Sequence, residues 1–168
     1  PTQTNSLKHA WKVAYDYASN PRGWVLIVGE IGCGKTHLAA AIGHERVQHG
    51  DTVLFITAPD LLDHLRSTYG PTSEVGYDEV FDRLREAPLL ILDDLGAENP
   101  SPWAREKLYQ LINYRYSLAL PTVITTNVDL DLIDARLRSR LMDTNLVRQM
   151  TIAAPDYRNG AQGLRDPI

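Results

Sequence analysis

Two rhythms of apolar and polar positions alternate along the chain. Residues 24–28 (Trp-Val-Leu-Ile-Val), 53–56 (Val-Leu-Phe-Ile) and 89–92 (Leu-Leu-Ile-Leu) are short, near-continuous apolar runs. Such runs predict strands, and the first of them one covered on both faces. Residues 122–126 and 146–152 read as a fourth and a fifth strand. Between them the period changes to that of a helix. Residues 35–49 place Leu38, Ala39, Ala41 and Ile42 on one face, and Gly50-Asp51 ends the run. Pro59 opens a helix over 59–67, because its fixed φ suits a first turn. Residues 77–86 are amphipathic, and 70–73 form a loop. Ser101 precedes Pro102 and predicts a capped helix over 102–117. Residues 131–142 read as one further helix. Ahead of the first strand, Ala10, Trp11, Val13, Ala14, Tyr15 and Ala18 recur at helical spacing and predict a single helix within 1–20. Strands alternating with helices imply βαβ units, a mostly parallel sheet and an α/β fold. One domain over 1–158 is expected, with its core at 21–154 and a poorly ordered polar tail over 155–168.

Composition narrows the class. A chain of 168 residues with 43% hydrophobic and 23% charged residues is an ordinary globular domain that can bury roughly 70% of its unfolded surface. The formal charge is −4, which disfavours wholesale electrostatic binding of nucleic acid. The charge is uneven, however. Residues 1–100 carry 8 basic and 14 acidic side chains, and residues 101–168 carry 9 and 7. Contacts with phosphate other than a nucleotide's are therefore expected in the second half. A single cysteine, Cys33, excludes an internal disulfide framework and a cysteine-rich zinc site, and it fits a reducing, cytoplasmic setting. No apolar run approaches the roughly 20 residues of a membrane helix. The first residue is Pro1 rather than Met, as in a piece of a longer protein. His9, His37, His44, His49 and His64 form no ligand set and read as surface or packing residues.

The most specific chemistry follows the first strand. Gly29-Glu30-Ile31-Gly32-Cys33-Gly34-Lys35-Thr36 matches the pattern G-x-x-x-x-G-K-[ST]. Glycines let the backbone curl around an anion and aim its N–H groups inward. The helix that starts there adds its positive end. Lys35 would reach the β- and γ-phosphates of ATP or ADP, and Thr36 would ligate Mg²⁺. Chance produces this pattern in under ~1% of chains of this length. The expected nucleotide-binding set is Gly29 to Thr36 together with His37. Cys33 sits at a variable position and reads as a small filler.

The third strand ends in Asp93-Asp94. Adjacent carboxylates beyond a buried strand are costly unless a cation or a water needs them. Beside a phosphate loop that cation is Mg²⁺. Asp93 would hold the metal, and Asp94 would orient or deprotonate the attacking water. Asp94 is one methylene shorter than the Glu often found there, so slow, assembly-dependent hydrolysis is expected. Glu98 is a less favoured base. The fourth strand runs into Asn127, which either holds the attacking water or the γ-phosphate or simply starts a turn. Arg136 and Arg140 lie four apart on one helix face, with Arg138 pointing elsewhere. They form either a solvated face or an arginine finger reaching a neighbouring subunit's ATP, with Arg140 ahead of Arg136.

Four stretches taken together carry a resemblance. They are the glycine loop with Lys35-Thr36-His37-Leu38-Ala39, Leu92-Asp93-Asp94-Leu95-Gly96-Ala97-Glu98, Thr125-Thr126-Asn127, and Arg136-Leu137-Arg138-Ser139-Arg140-Leu141. In this order they resemble the AAA+ ATPase domain of bacterial replicative helicase loaders of the DnaC/DnaI type, close to the IstB-like ATP-binding family. The likeness runs from about Pro21 to Arg158. It implies a five-stranded parallel sheet in the order 5-1-4-3-2 without a C-terminal lid domain, closing near Asp156-Tyr157-Arg158. It implies Asn127 as a γ-phosphate sensor, Arg140 as a finger acting in trans, and a ring or spiral of subunits around single-stranded DNA. It implies an extra helical element over about 61–85. It carries single-strand contacts onto Tyr69, Ser101 and Trp103, where an exposed ring would stack on bases. It also implies a replicative helicase as partner, gripped through an N-terminal domain that this chain does not contain. A transposition helper acting on duplex DNA shares the same motor. A nucleotide-dependent binding module with little turnover and a small-molecule phosphate-loop kinase are the remaining readings, and the kinase would need a lid that the arginine pair does not resemble.

Overall fold

The computed structural model describes residues 3–68, 76–97 and 101–156. In chain order the elements are α1 (Gln3–Ser19), β1 (Trp24–Gly29), α2 (Lys35–Gln48), β2 (Val53–Thr57), α3 (Ala58–Ser67), α4 (Tyr77–Glu86), β3 (Leu89–Asp93), α5 (Pro102–Ser117), β4 (Thr122–Thr126), a 3₁₀ turn (Leu130–Leu132), α6 (Ala135–Leu141) and β5 (Val147–Ile152). The strands form one sheet in the order β2-β3-β4-β1-β5. Every recorded pairing is parallel. This is the order that the resemblance implied, read from the opposite edge.

The apolar runs explain the layering. Successive side chains of a strand point to opposite faces. Trp24 and Leu26 of β1, Leu90 and Leu92 of β3 and Ile124 of β4 enter one core with α3, α4, α5 and α6. Val25 and Ile27, Leu89 and Ile91, and Val123 enter a second core with α1 and α2. Burying each of these side chains contributes roughly 1.5–3 kcal/mol relative to exposure. Ala10, Val13, Ala14, Tyr17 and Ala18 are the inward face of α1. Trp11 and Tyr15, which share its helical spacing, instead lie outward and stack on each other at 5.3 Å. All five histidines are exposed.

Local chemistry sets the element ends. Thr57 accepts a hydrogen bond from Asp60 N and caps α3, with Pro59 in its first turn. Ser101 caps α5 by accepting from Ala104 N at 3.1 Å. The single helix expected over 131–142 is corrected here. The chain makes a 3₁₀ turn, extends at Ile133, and restarts as α6. Asp129 caps the start of the 3₁₀ turn by accepting from Asp131 N, and Asp134 caps the restart by accepting from Arg136 N. Short acidic side chains that bond the backbone ahead of them favour such caps.

One buried cation joins α4, α5 and β4. Arg115 is 0% exposed. Its guanidinium donates to the carbonyls of Leu84, Arg85, Ala87 and Pro121 and to the Thr122 hydroxyl. Three of those carbonyls belong to the C-terminal end of α4, where a helix dipole favours positive charge. Burial pulls the Arg115 pKa down to about 10, opposed by the nearby Tyr17 and Tyr114, so the group remains a cation at neutral pH. Replacing it would orphan several buried carbonyls at once. Arg115→Met is expected to destabilise the domain by roughly 3 kcal/mol; urea unfolding checks this, and an unchanged midpoint would contradict it.

Candidate nucleotide site

A parallel sheet brings the carboxyl ends of all its strands to one edge, where α/β proteins bind ligands. Here that edge gathers the loop after β1, the acidic end of β3 and the polar end of β4.

The loop turns left-handed at Gly32 (φ 78°) and Gly34 (φ 99°). Gly34 is the N-cap of α2, and no side chain caps that helix. A Cβ placed on Gly34 would meet nothing within 4 Å. The first-turn N–H groups of α2 thus lack a side-chain acceptor, the condition that an anion satisfies. Gly32 has a second reason to be glycine, since a Cβ there would lie 2.0 Å from Asp156 Oδ1. The Lys35 side chain is 5% exposed. Its ammonium donates to the carbonyls of Gly29 and Glu30, each at 2.9 Å. A buried ammonium held only by carbonyls is poorly compensated. Its chemistry fits the phosphates of a nucleotide. Glu30, Ile31, Thr36 and His37 are exposed around the loop, whereas Cys33 is buried beneath it.

Asp93 ends β3 at 2% exposure. The Thr36 hydroxyl lies 3.1 and 3.0 Å from its two carboxylate oxygens. The Thr125 hydroxyl donates to Asp93 Oδ1 at 2.6 Å. A hydroxyl and a carboxylate held together beside a phosphate loop are the donor set of a divalent cation. Asp94 follows at φ 55°. Asp tolerates this left-handed conformation better than longer side chains do, which accounts for an Asp rather than a Glu here. Asn127 is exposed directly after β4.

The arginines of α6 are docked on α5. Arg140 donates to Asn113 Oδ1 at 2.8 Å and to the Tyr109 hydroxyl at 3.1 Å. The Tyr109 ring lies 4.2 Å from the Arg136 guanidinium and 4.9 Å from that of Arg140. Arg136 also pairs with Glu106 and Asp134, and Arg138 turns away to pair with Asp131. Trp103 is half-buried against the larger core, with the Arg66 guanidinium 4.9 Å above its ring. It is therefore less exposed than a free stacking platform would be. The Ser101 hydroxyl is engaged in capping α5. Tyr69 and Glu98 lie outside the described residues.

Comparison with known proteins now decides the family. Residues 13–155 match the family described as IstB-like ATP binding protein. The chain belongs to that family. Its relatives include the replicative helicase loader DnaC of Escherichia coli strain K12, 29% identical over 141 residues, which are 84% of this chain and 57% of that protein. The loader DnaC of Buchnera aphidicola from Acyrthosiphon pisum is 28% identical over the same length. This IstB-like chain spans about half the length of the curated relatives it matches. A crystal structure of the DnaC helicase loader superposes with a TM-score of 0.75 at 27% identity, covering 88% of this chain and 90% of that one. The AMPPCP-bound DnaA of Aquifex aeolicus superposes at 0.79 with 19% identity, over 98% of this chain and 53% of that one. The latter shows the shared AAA+ fold.

Three features of this IstB-like site escaped the sequence reading. Thr125 stood in a quoted motif without a role, although period-two alternation puts it on the same face of the sheet as Asp93. Glu106, Tyr109 and Asn113 recur at helical spacing on α5, yet nothing in the sequence says that α6 covers them. Asp156 was assigned to the tail but lies against Gly32. Lys35→Ala is expected to weaken ATP binding about 100-fold or more, ~2.8 kcal/mol at 1.4 kcal/mol per decade. Titration with a fluorescent ATP analogue reads this, and retained affinity would remove Lys35 from the site.

Proposed function

We propose that this domain is a Mg²⁺-dependent ATPase that acts as the switch of a replicative helicase loader. The observation that carries the reading is Asp93, buried at the sheet edge with a hydroxyl from the phosphate loop on its carboxylate. Gly29 to His37 would cradle the phosphates of ATP and then ADP, with Lys35 exchanging two carbonyls for phosphate oxygens. Thr36 and Asp93 would hold Mg²⁺, which when bound neutralises charge on the β- and γ-phosphates. Asp94 would orient the attacking water and accept its proton, and Asn127 would sense the γ-phosphate.

The arginines belong to the neighbouring site in this reading. Arg140 would leave Asn113 and Tyr109 to meet the ATP of the next subunit, and Arg136 would support it. Hydrolysis would then depend on self-association. Single-stranded DNA would be gripped by Tyr69, Ser101 and Trp103, and the helicase would be held by a part of the protein beyond this domain. The likeness to replicative helicase loaders supports the helicase as a partner. No helix of the described residues is long and apolar enough to cross a membrane. A second reading, a transposition helper acting on duplex DNA, draws on the family's IstB-like description.

Steady-state ATP hydrolysis with no DNA, with single strands and with duplex tests the proposal. Stimulation by single strands is expected; stimulation by duplex alone would favour the transposition helper. Arg140→Ala should leave nucleotide binding intact while lowering assembly-dependent turnover about 10³-fold, the lower range for a trans arginine. Wild-type turnover per subunit that stays flat as protein concentration rises would exclude the trans finger.

A further inference from the structure

Thr125 has no part in the reading above, yet the acidic end of β3 is bonded to it at three successive residues. Its hydroxyl donates to Asp93 Oδ1 at 2.6 Å and accepts from Asp94 N at 2.9 Å. Its carbonyl accepts from Leu95 N at 2.9 Å. The side chain is 0% exposed, so these partners are not exchanged for water. A hydroxyl has one proton and two lone pairs, and its proton here is committed to the carboxylate.

The two oxygens of Asp93 are consequently unlike. Oδ1 faces both Thr36 and Thr125, whereas Oδ2 faces Thr36 alone. Each carboxylate oxygen offers about two acceptor positions. The single Thr36 proton is shared between the two oxygens, so Oδ1 carries the whole of one further donor, Thr125, and Oδ2 is the less committed oxygen. The same Thr125 hydroxyl receives the N–H of Asp94, which would otherwise be a buried donor next to a left-handed backbone. One side chain therefore orients the carboxylate assigned to the metal and supports the backbone turn that aims the carboxylate assigned to the water.

We propose that Thr125 is the positioning residue of this ATPase site, holding Asp93 so that Oδ2 serves the cation and fixing the turn that carries Asp94. The proposal rests on the assignment of Thr36 and Asp93 to Mg²⁺. Thr125→Val keeps the shape and β-branching of the side chain but removes the hydroxyl. Equilibrium binding of a non-hydrolysable ATP analogue is titrated with Mg²⁺ for the wild type, Thr125→Val and Thr125→Ser. The Mg²⁺ concentration that gives half of the affinity gain should rise about tenfold in Thr125→Val, the loss of one charge-assisted hydrogen bond. Metal-free affinity should be unchanged, and Thr125→Ser should restore the wild-type half-point. If Thr125→Val does not fold, Thr125→Ala carries the same comparison. A purely structural Thr125 would lower the melting temperature without moving the Mg²⁺ half-point, which overturns the proposal. A wild type whose nucleotide affinity ignores Mg²⁺ overturns both this proposal and the metal assignment. Normal wild-type dependence with an unshifted variant overturns the role of Thr125 alone.

Discussion

A carboxylate at the end of a central strand can be buried only if its oxygens find donors in the protein. Asp93 sits at 2% exposure, and its donors come from two directions. Thr36 reaches it from the first turn of α2, and Thr125 from the neighbouring strand. Those two hydroxyls oblige the phosphate loop, β3 and β4 to meet at one point. The parallel sheet makes the meeting possible, because β1 lies beside β4, and β4 beside β3, with every carboxyl end on the same edge. The uncapped N-terminus of α2 is the positive counterpart of that carboxylate, so the site carries an anion cradle and an acidic post side by side.

The domain holds two of its arginines in different ways. Arg115 is surrounded by backbone carbonyls, three of them from the end of α4. Partial charges, rather than a full counter-ion, offset its desolvation. Arg140 is tied more lightly to Asn113 and Tyr109 at the surface of α5. The first arginine is a fixed strut, and the second is a partly buried side chain docked on the face of α5.

Much of the fold was legible in the chain. The runs 24–28 and 89–92 declared buried strands, and their two-sided burial matches this, whereas the run 53–56 became the edge strand β2, with Phe55 exposed. Ser101 and Pro102 marked the start of α5 correctly. The errors have local causes. An apolar pattern over 131–142 looked continuous, but the chain extends at Ile133 and Asp134 caps a new helix. Trp11 and Tyr15 satisfied the helical period of α1 yet face outward, because period alone does not say which edge of the stripe meets the sheet.

The sequence by itself determined the chemistry and its order. Glycine spacing, the Lys35-Thr36 pair and two aspartates after an apolar run are covalent facts, and each restricts what the local backbone can do. The family followed from the same four stretches in the same order. Only the tertiary structure decided which residues meet across the chain. Thr125 reaches Asp93 over 32 positions, Tyr109 reaches Arg140 over 31, and Ser6 on α1 reaches the chain just beyond β5 over 147. Such pairings depend on strand order and helix packing, which bury surface without regard to separation along the chain. A side chain's local pattern can therefore announce a strand end or a helix face, but its partner is chosen by the packing of the whole domain.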